Sequence, residues 1–204
     1  MDDEVPKAEL RAMRDGAGEL WWGNFIKQRS KDIDRRFKQT GAIYFHPAER
    51  MPTDLFSYTR EASLCFSVAR YLATIVLSSS AVELILNRDR RTKAHGRMLR
   101  TREGWATLNS HNLRIIQDEG LPATALLSSD ENLANDKRIV FVNRRNRVAH
   151  GELSNLVHGV ADYDPGAEKE ASDQLQKSDR FVIEWFNTSP DVQNGAIKNY
   201  CWPE

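Results

Sequence analysis

An all-α fold is predicted for this chain: a bundle of four to five helices behind an N-terminal helical extension. Three observations carry it. No pair of β-branched runs flanks an Asn-Gly or Asp-Gly turn, and apolar-polar alternation with period two is never sustained. Apolar residues instead recur at spacings of three and four, and Gly or Pro closes several of the periodic stretches. The length of 204 residues suits one domain with a modest appendage. The expected boundaries are an extension and linker over 1–52, a bundle over 53–190 and a tail over 191–204.

Each element follows from local pattern. Trp22, Ile26, Ile33 and Phe37 form one stripe of a helix ending near Gly41, and the stretch 41–52 with two prolines reads as a linker. From Thr53 to Arg91 nothing breaks a helix. Between Leu64 and Leu86 apolar residues surround most of the circumference, as in a central helix packed on several sides. Gly96 interrupts, and a further helix carries Trp105, Leu108, Ile115 and Ile116 before Gly120 and Pro122. SSDEN at 128–132 offers an N-cap for a helix running to His150, with Gly151 as its break. Ala171, Leu175, Ser178, Val182, Trp185 and Phe186 mark the inner face of a last helix before Pro190. The five tryptophans, Trp21, Trp22, Trp105, Trp185 and Trp202, are read as core or interface anchors.

Composition excludes several classes of function. With 40% hydrophobic and 28% charged residues the chain has material for a core. Lys+Arg 29 against Asp+Glu 29 leaves no net charge, so any attraction to phosphate must be local. Two distant cysteines, Cys65 and Cys201, build neither a disulfide framework nor a metal cluster, and a cytoplasmic setting is expected. The acidic start MDDEVPKAEL lacks the apolar stretch of a secretory signal. The apolar run 64–86 carries Arg70 and Glu83, which points to a buried helix and not a membrane span. His46, His95, His111 and His158 have no ligand-like spacing, so neither metal nor cofactor is expected. Gly-x-Ser-x-Gly and P-loop motifs are missing.

The informative segment is Lys137 to Leu153, KRIVFVNRRNRVAHGEL. On a helix Asn143, Asn146, Arg147 and His150 share one polar side, and Ile139, Val142, Val148 and Ala149 form the apolar one. Arg145 and His150 are about 140° apart around the axis and about 7.5 Å along it, so a phosphate could be held between them. An imidazole can move protons to or from a ribose hydroxyl, and a guanidinium steadies charge on a phosphodiester. That pairing suits metal-free RNA cleavage. Basic residues gather nearby: Lys137, Arg138, Arg144, Arg145 and Arg147 have no acid among them, and 88–102 holds seven cations against Asp89 alone. Both runs suit phosphate contacts that position RNA without reading its sequence. Glu83, a lone carboxylate inside the apolar helix, calls for a buried arginine such as Arg145 or Arg147.

The string Arg145-Asn146-Arg147-Val148-Ala149-His150 resembles the Arg-x4-6-His signature of the HEPN superfamily (higher eukaryotes and prokaryotes nucleotide-binding domain), including the polar residue after the Arg. An apolar helix reading SSSAVELIL ahead of it and an amphipathic helix after it extend the likeness over about 53–188. The resemblance implies a helical bundle that dimerises through the signature helix so that two motifs share one cleft. It further implies an endoribonuclease of toxin–antitoxin or antiviral defence type, with RNA as substrate and an inhibitory antitoxin or regulatory protein as partner. Carried onto this sequence, Arg145 grips the scissile phosphate, His150 is the general base or acid and Asn146 orients the group. The products are a 2′,3′-cyclic phosphate and a 5′-hydroxyl. Arg144, Arg147, Lys137 and Arg138 are read as substrate-binding residues, with Glu83 in support. In the branch silenced by AMP transfer, a Tyr stands two residues after the His; Glu152 stands there here. The alternative is a non-catalytic nucleotide-binding or protein-interaction module.

Overall fold

A computed structural model describes residues 27, 30–38, 51–89, 108–133, 139–152 and 165–190. Among them every regular element is helical and no strand occurs. The order is α1 over 30–38, α2 (Thr53–Ser67), α3 (Tyr71–Arg88), α4 (Ser110–Asp118), a 3-10 turn (Ala123–Leu126), α5 (Val140–His150) and α6 (Pro165–Thr188). The predicted all-α bundle is therefore present.

The stretch from Thr53 to Arg91 is two helices, not one. Backbone bonds from Ala69 N–H to Phe66 O at 3.0 Å and from Arg70 N–H to Cys65 O at 2.7 Å close α2 in a Schellman turn. The left-handed position is taken by Ala69, φ 63°, where glycine is usual. That conformation costs an alanine about 1 kcal/mol, and the side chain is wholly buried among Phe66, Tyr71 and Ile75. The chain turns back here, and Thr74 Oγ1 donates to Ala62 O at 3.4 Å.

α3 packs against α2, α5 and α6, which makes it the central helix. Its buried residues include Ile75, Val82, Ile85 and Leu86, together with Ser78 and Ser79. Those two small side chains let α6 approach. Ser178 Oγ donates to Ser78 O at 2.8 Å. Gln174, fully buried, donates to both Ser79 Oγ (3.0 Å) and Phe141 O (3.1 Å), tying α3, α5 and α6 at one point. The six positions read as the inner face of α6 are all buried. Trp185 among them donates from Nε1 to Asp89 Oδ2 at 2.8 Å, just past the end of α3.

α4 starts at Asn109, whose side chain accepts from Asn112 N–H at 2.8 Å, and stops at Gly120, φ 79°. Trp105 lies outside the described residues. The helix ending at His150 begins at Val140 and not after SSDEN; residues 128–131 form a turn.

Of the N-terminal stripe, Trp22 and Ile26 lie outside the described residues, Ile33 is half-buried and Phe37 is 45% exposed. What docks α1 is a cation. Arg36, 4% exposed, donates from Nε to Ser67 O (3.1 Å) and from Nη1 to Tyr71 Oη (3.2 Å) and Glu168 Oε2 (3.3 Å). Arg35 Nη1 reaches Glu168 Oε1 at 2.6 Å, and Tyr71 O–H donates to Glu168 Oε2 at 2.8 Å. Burial pushes the Glu168 carboxyl up, but hydrogen bonds from Arg35 and Tyr71 more than reverse it, and the group sits below the usual carboxylate range. One carboxylate thus fastens α1 to the start of α6.

Asp179 of α6 is different. It is 7% exposed, and its Oδ1 has no hydrogen-bond partner. Burial holds the carboxyl well above the usual range. An acid whose folded pKa is raised favours folding below its unfolded value and loses that contribution as pH climbs towards the folded one. Asp179→Asn is therefore expected to raise stability near pH 8 by about 1 kcal/mol, roughly 2–4 °C in Tm, and to change little at pH 4. Thermal melts of both proteins across pH check this; an unchanged or lowered Tm at pH 8 refutes it.

Among the described residues no helix is long and apolar enough to cross a membrane.

Candidate functional site

The site read from the sequence lies on α5, and the ends of that helix are set by named contacts. At its start, Glu131 Oε1 accepts from Val140 N–H at 3.0 Å while Oε2 accepts from Ser128 N–H at 3.0 Å. At its end Gly151, φ 72°, permits bonds from Gly151 N–H to Val148 O and from Glu152 N–H to Arg147 O. Arg147 and His150 fall in the last turn, where the helix dipole favours positive charge.

The face turned into the bundle carries Phe141, Val142 and Arg144, with Val148 packed on the cluster of Tyr71, Ile75 and Ala167. Ala149, expected on the apolar side, is exposed. Arg144 corrects the sequence reading more sharply. It is 8% exposed and bonded to Glu170, Asp173 and Gln174 of α6, so its guanidinium is a brace between two helices and is not offered to a phosphate. Burial raises the Asp173 carboxyl; hydrogen bonds from Arg144 and Lys177 outweigh that and leave it below the usual range.

Arg145 turns towards α3. Its Nη2 meets Glu83 Oε1 at 2.9 Å, the pairing expected for a carboxylate in the apolar helix, and its Nη1 donates to Asn146 Oδ1 at 3.1 Å. The same Glu83 oxygen accepts from Leu108 N–H at 3.0 Å. Both side chains stay partly open, 30% for Arg145 and 22% for Glu83. Nε and the remaining guanidinium hydrogens have no partner among the described residues. Asn146 offers its amide N–H2 in turn, because its carbonyl oxygen already accepts from Arg145.

Asn143, Asn146, Arg147 and His150 share a face about 100° wide. His150 is exposed, and neither the His150 nor the Arg147 side chain makes a hydrogen bond or ion pair among the described residues. No hydrogen bond joins Arg145 to His150. Asn146 stands between their directions, bonded to the first and one turn before the second.

Lys137 and Arg138 lie outside the described residues, as do 90–102 of the other basic run. Arg88 from that run is paired with Asp54 of α2. Among the described residues no group of three His, Cys, Asp or Glu side chains is placed to hold a metal. Two features had no signal in the sequence: the Arg36–Tyr71–Glu168 joint, and a cavity of about 470 Å³ beside Asp173 and Lys177, lined also by Ser128, Ser129 and Arg180. Both join residues 35 to 132 positions apart, beyond the reach of any local pattern.

The fold and this helix define a helical bundle with a basic, polar face on α5. Comparison with known proteins assigns it no family: no family model, no curated protein and no solved structure matches the chain.

Proposed function

We propose that this protein is an HEPN-like, metal-independent endoribonuclease that works as a homodimer, with a toxin or phage-defence role. The observation that carries the reading is the arrangement on α5. A solvent-facing His150, with no side-chain partner among the described residues, lies one turn beyond Asn146, whose carbonyl is bonded to an Arg145 that is itself held by Glu83. The order of a central apolar helix, the signature helix and a closing amphipathic helix agrees with it.

In this reading Arg145, oriented by Glu83 and Asn146, takes the scissile phosphate with its open guanidinium edge. His150 removes the proton of the 2′-hydroxyl. The 2′-oxygen bonds to phosphorus as the bond to the 5′-oxygen breaks, and the leaving oxygen takes a proton from a second imidazole. Two copies meeting along α5 supply that second imidazole, since α5 itself carries only His150. Arg147 adds a phosphate contact, and Lys137 and Arg138 precede the helix on the same strip of sequence. A regulatory or antitoxin protein covering this face would restrain the activity.

The non-catalytic module is the second reading, and one observation favours it: Arg145 already has a carboxylate partner in Glu83. Incubation of the purified chain with RNA in EDTA separates the two. Cleavage to 2′,3′-cyclic phosphate and 5′-hydroxyl ends supports the enzyme; intact RNA, or cleavage only with added metal, overturns it.

A further inference from the structure

Resting on the ribonuclease reading, we propose that the outer face of α1 is a second RNA-backbone contact, a short cationic ridge that leads a single strand to the His150 end of the bundle. The ridge is Lys31, Arg35 and Lys38, which recur at four and three residues and so share one face of α1. They are turned about 100–160° away from Arg36, the buried anchor. Lys31 and Lys38 are exposed and have no ion pair among the described residues; Arg35 stays 48% exposed while bonded to Glu168.

Position ties this ridge to the site. Arg36 is bonded to Ser67, Tyr71 and Glu168. Val148, two residues before His150, packs on the cluster that contains Tyr71 and Ala167, the neighbour of Glu168. α5 runs antiparallel to α6, since Phe141 meets Gln174 and Arg144 meets Glu170. The last turn of α5 and the docked α1 therefore lie at the same end of the bundle. Arg36 fixes one side of α1 through Ser67, Tyr71 and Glu168, while Lys31 and Lys38 on the other have no ion pair among the described residues, which holds two cations out for a phosphate chain. Asp32, which acts electrostatically on Arg35, and Asp34 flank the ridge and keep its field modest, so the contact positions the strand and does not dominate affinity.

The test uses the full chain carrying His150→Ala, so that RNA stays uncut, and an unstructured RNA of about 12 nucleotides. Binding is followed by fluorescence anisotropy across salt concentration. Adding Lys31→Ala and Lys38→Ala is expected to weaken binding about 3- to 10-fold at low salt and to flatten the log–log salt slope by about 1.4. Lys31→Arg with Lys38→Arg should preserve both. Arg36→Met, which undocks α1 with its lysines intact, should weaken binding as the alanine pair does. In the chain with His150 present, the alanine pair should raise KM and leave kcat in place.

Unchanged affinity and slope beside normal cleavage overturn the ridge and leave the ribonuclease reading standing. Faster cleavage after the lysine changes also overturns it, because α1 would then be a cover. If the unsubstituted chain neither binds nor cuts RNA, the ribonuclease reading falls and the ridge with it.

Discussion

On the proposed ribonuclease reading, His150→Ala is expected to slow RNA cleavage in EDTA by about 10²- to 10⁴-fold, a loss of roughly 3–5.5 kcal/mol of transition-state stabilisation, with the protein still folded. The side chain is exposed and has no hydrogen-bond partner among the described residues, so nothing in the core depends on it. Its removal takes away at most a dipole contribution of about 0.3–1 kcal/mol at the end of α5. A Tm drop of no more than about 4 °C should accompany the loss of activity. RNA affinity should survive, because the proposed backbone contacts come from cations elsewhere. Product assays, melts and binding on one preparation decide the matter. Cleavage at an undiminished rate would remove His150 from the chemistry. A collapse of Tm together with activity would mean the side chain is structural after all.

How far this was legible in the sequence differs from helix to helix. α6 was readable because a single amphipathic face spaced at three and four residues leaves only one way to turn it inward, and all six positions named for that face are buried. Glu83 was readable for an energetic reason: a carboxylate among Val82, Ile85 and Leu86 needs a cation, and the nearby arginine-rich helix supplies one. The break between α2 and α3 was not readable. The left-handed position there is filled by Ala69, so neither Gly nor Pro marks it, and the turn is held by backbone bonds and burial.

α5 shows a subtler limit. Spacing correctly groups Asn143, Asn146, Arg147 and His150 opposite an arc of about 120° that holds Phe141, Val142, Val148 and Ala149, but it gives no sign that Arg144, beside that arc, also turns inward. The roll is decided by α6, where Glu170 and Asp173 stand ready for Arg144 and Gln174 takes the carbonyl of Phe141. Periodicity groups residues on a helix; only the neighbour chooses which group goes inside. The same reasoning separates three arginines within four residues into three uses: Arg144 braces α6, Arg145 is steered by α3, and the half-buried Arg147 has no side-chain partner among the described residues.

Trp185→Ala should be the most damaging single change to the fold, at about 3–5 kcal/mol, or about 10 °C or more in Tm for a chain of this size. The indole is 1% exposed and belongs to the larger core cluster with Leu86, Phe181 and Val182, so truncation leaves a cavity in that core. It also donates to Asp89, a carboxylate only 5% exposed just beyond the end of α3. Trp185→Phe separates the two effects: it keeps most of the apolar volume and removes only the Nε1 donor, so about 1–2 kcal/mol is expected. If the phenylalanine variant melts as low as the alanine one, the hydrogen bond to Asp89 outweighs packing at this position. If both melt near the unsubstituted protein, the closing helix does not anchor α3 there. Because α3 carries Glu83 only six residues before Asp89, loosening this joint should also release Arg145, and the alanine variant should lose RNA cleavage at temperatures well below its own midpoint. Activity and circular dichroism followed together on heating would show the two transitions separating in Trp185→Ala and coinciding in the unsubstituted chain.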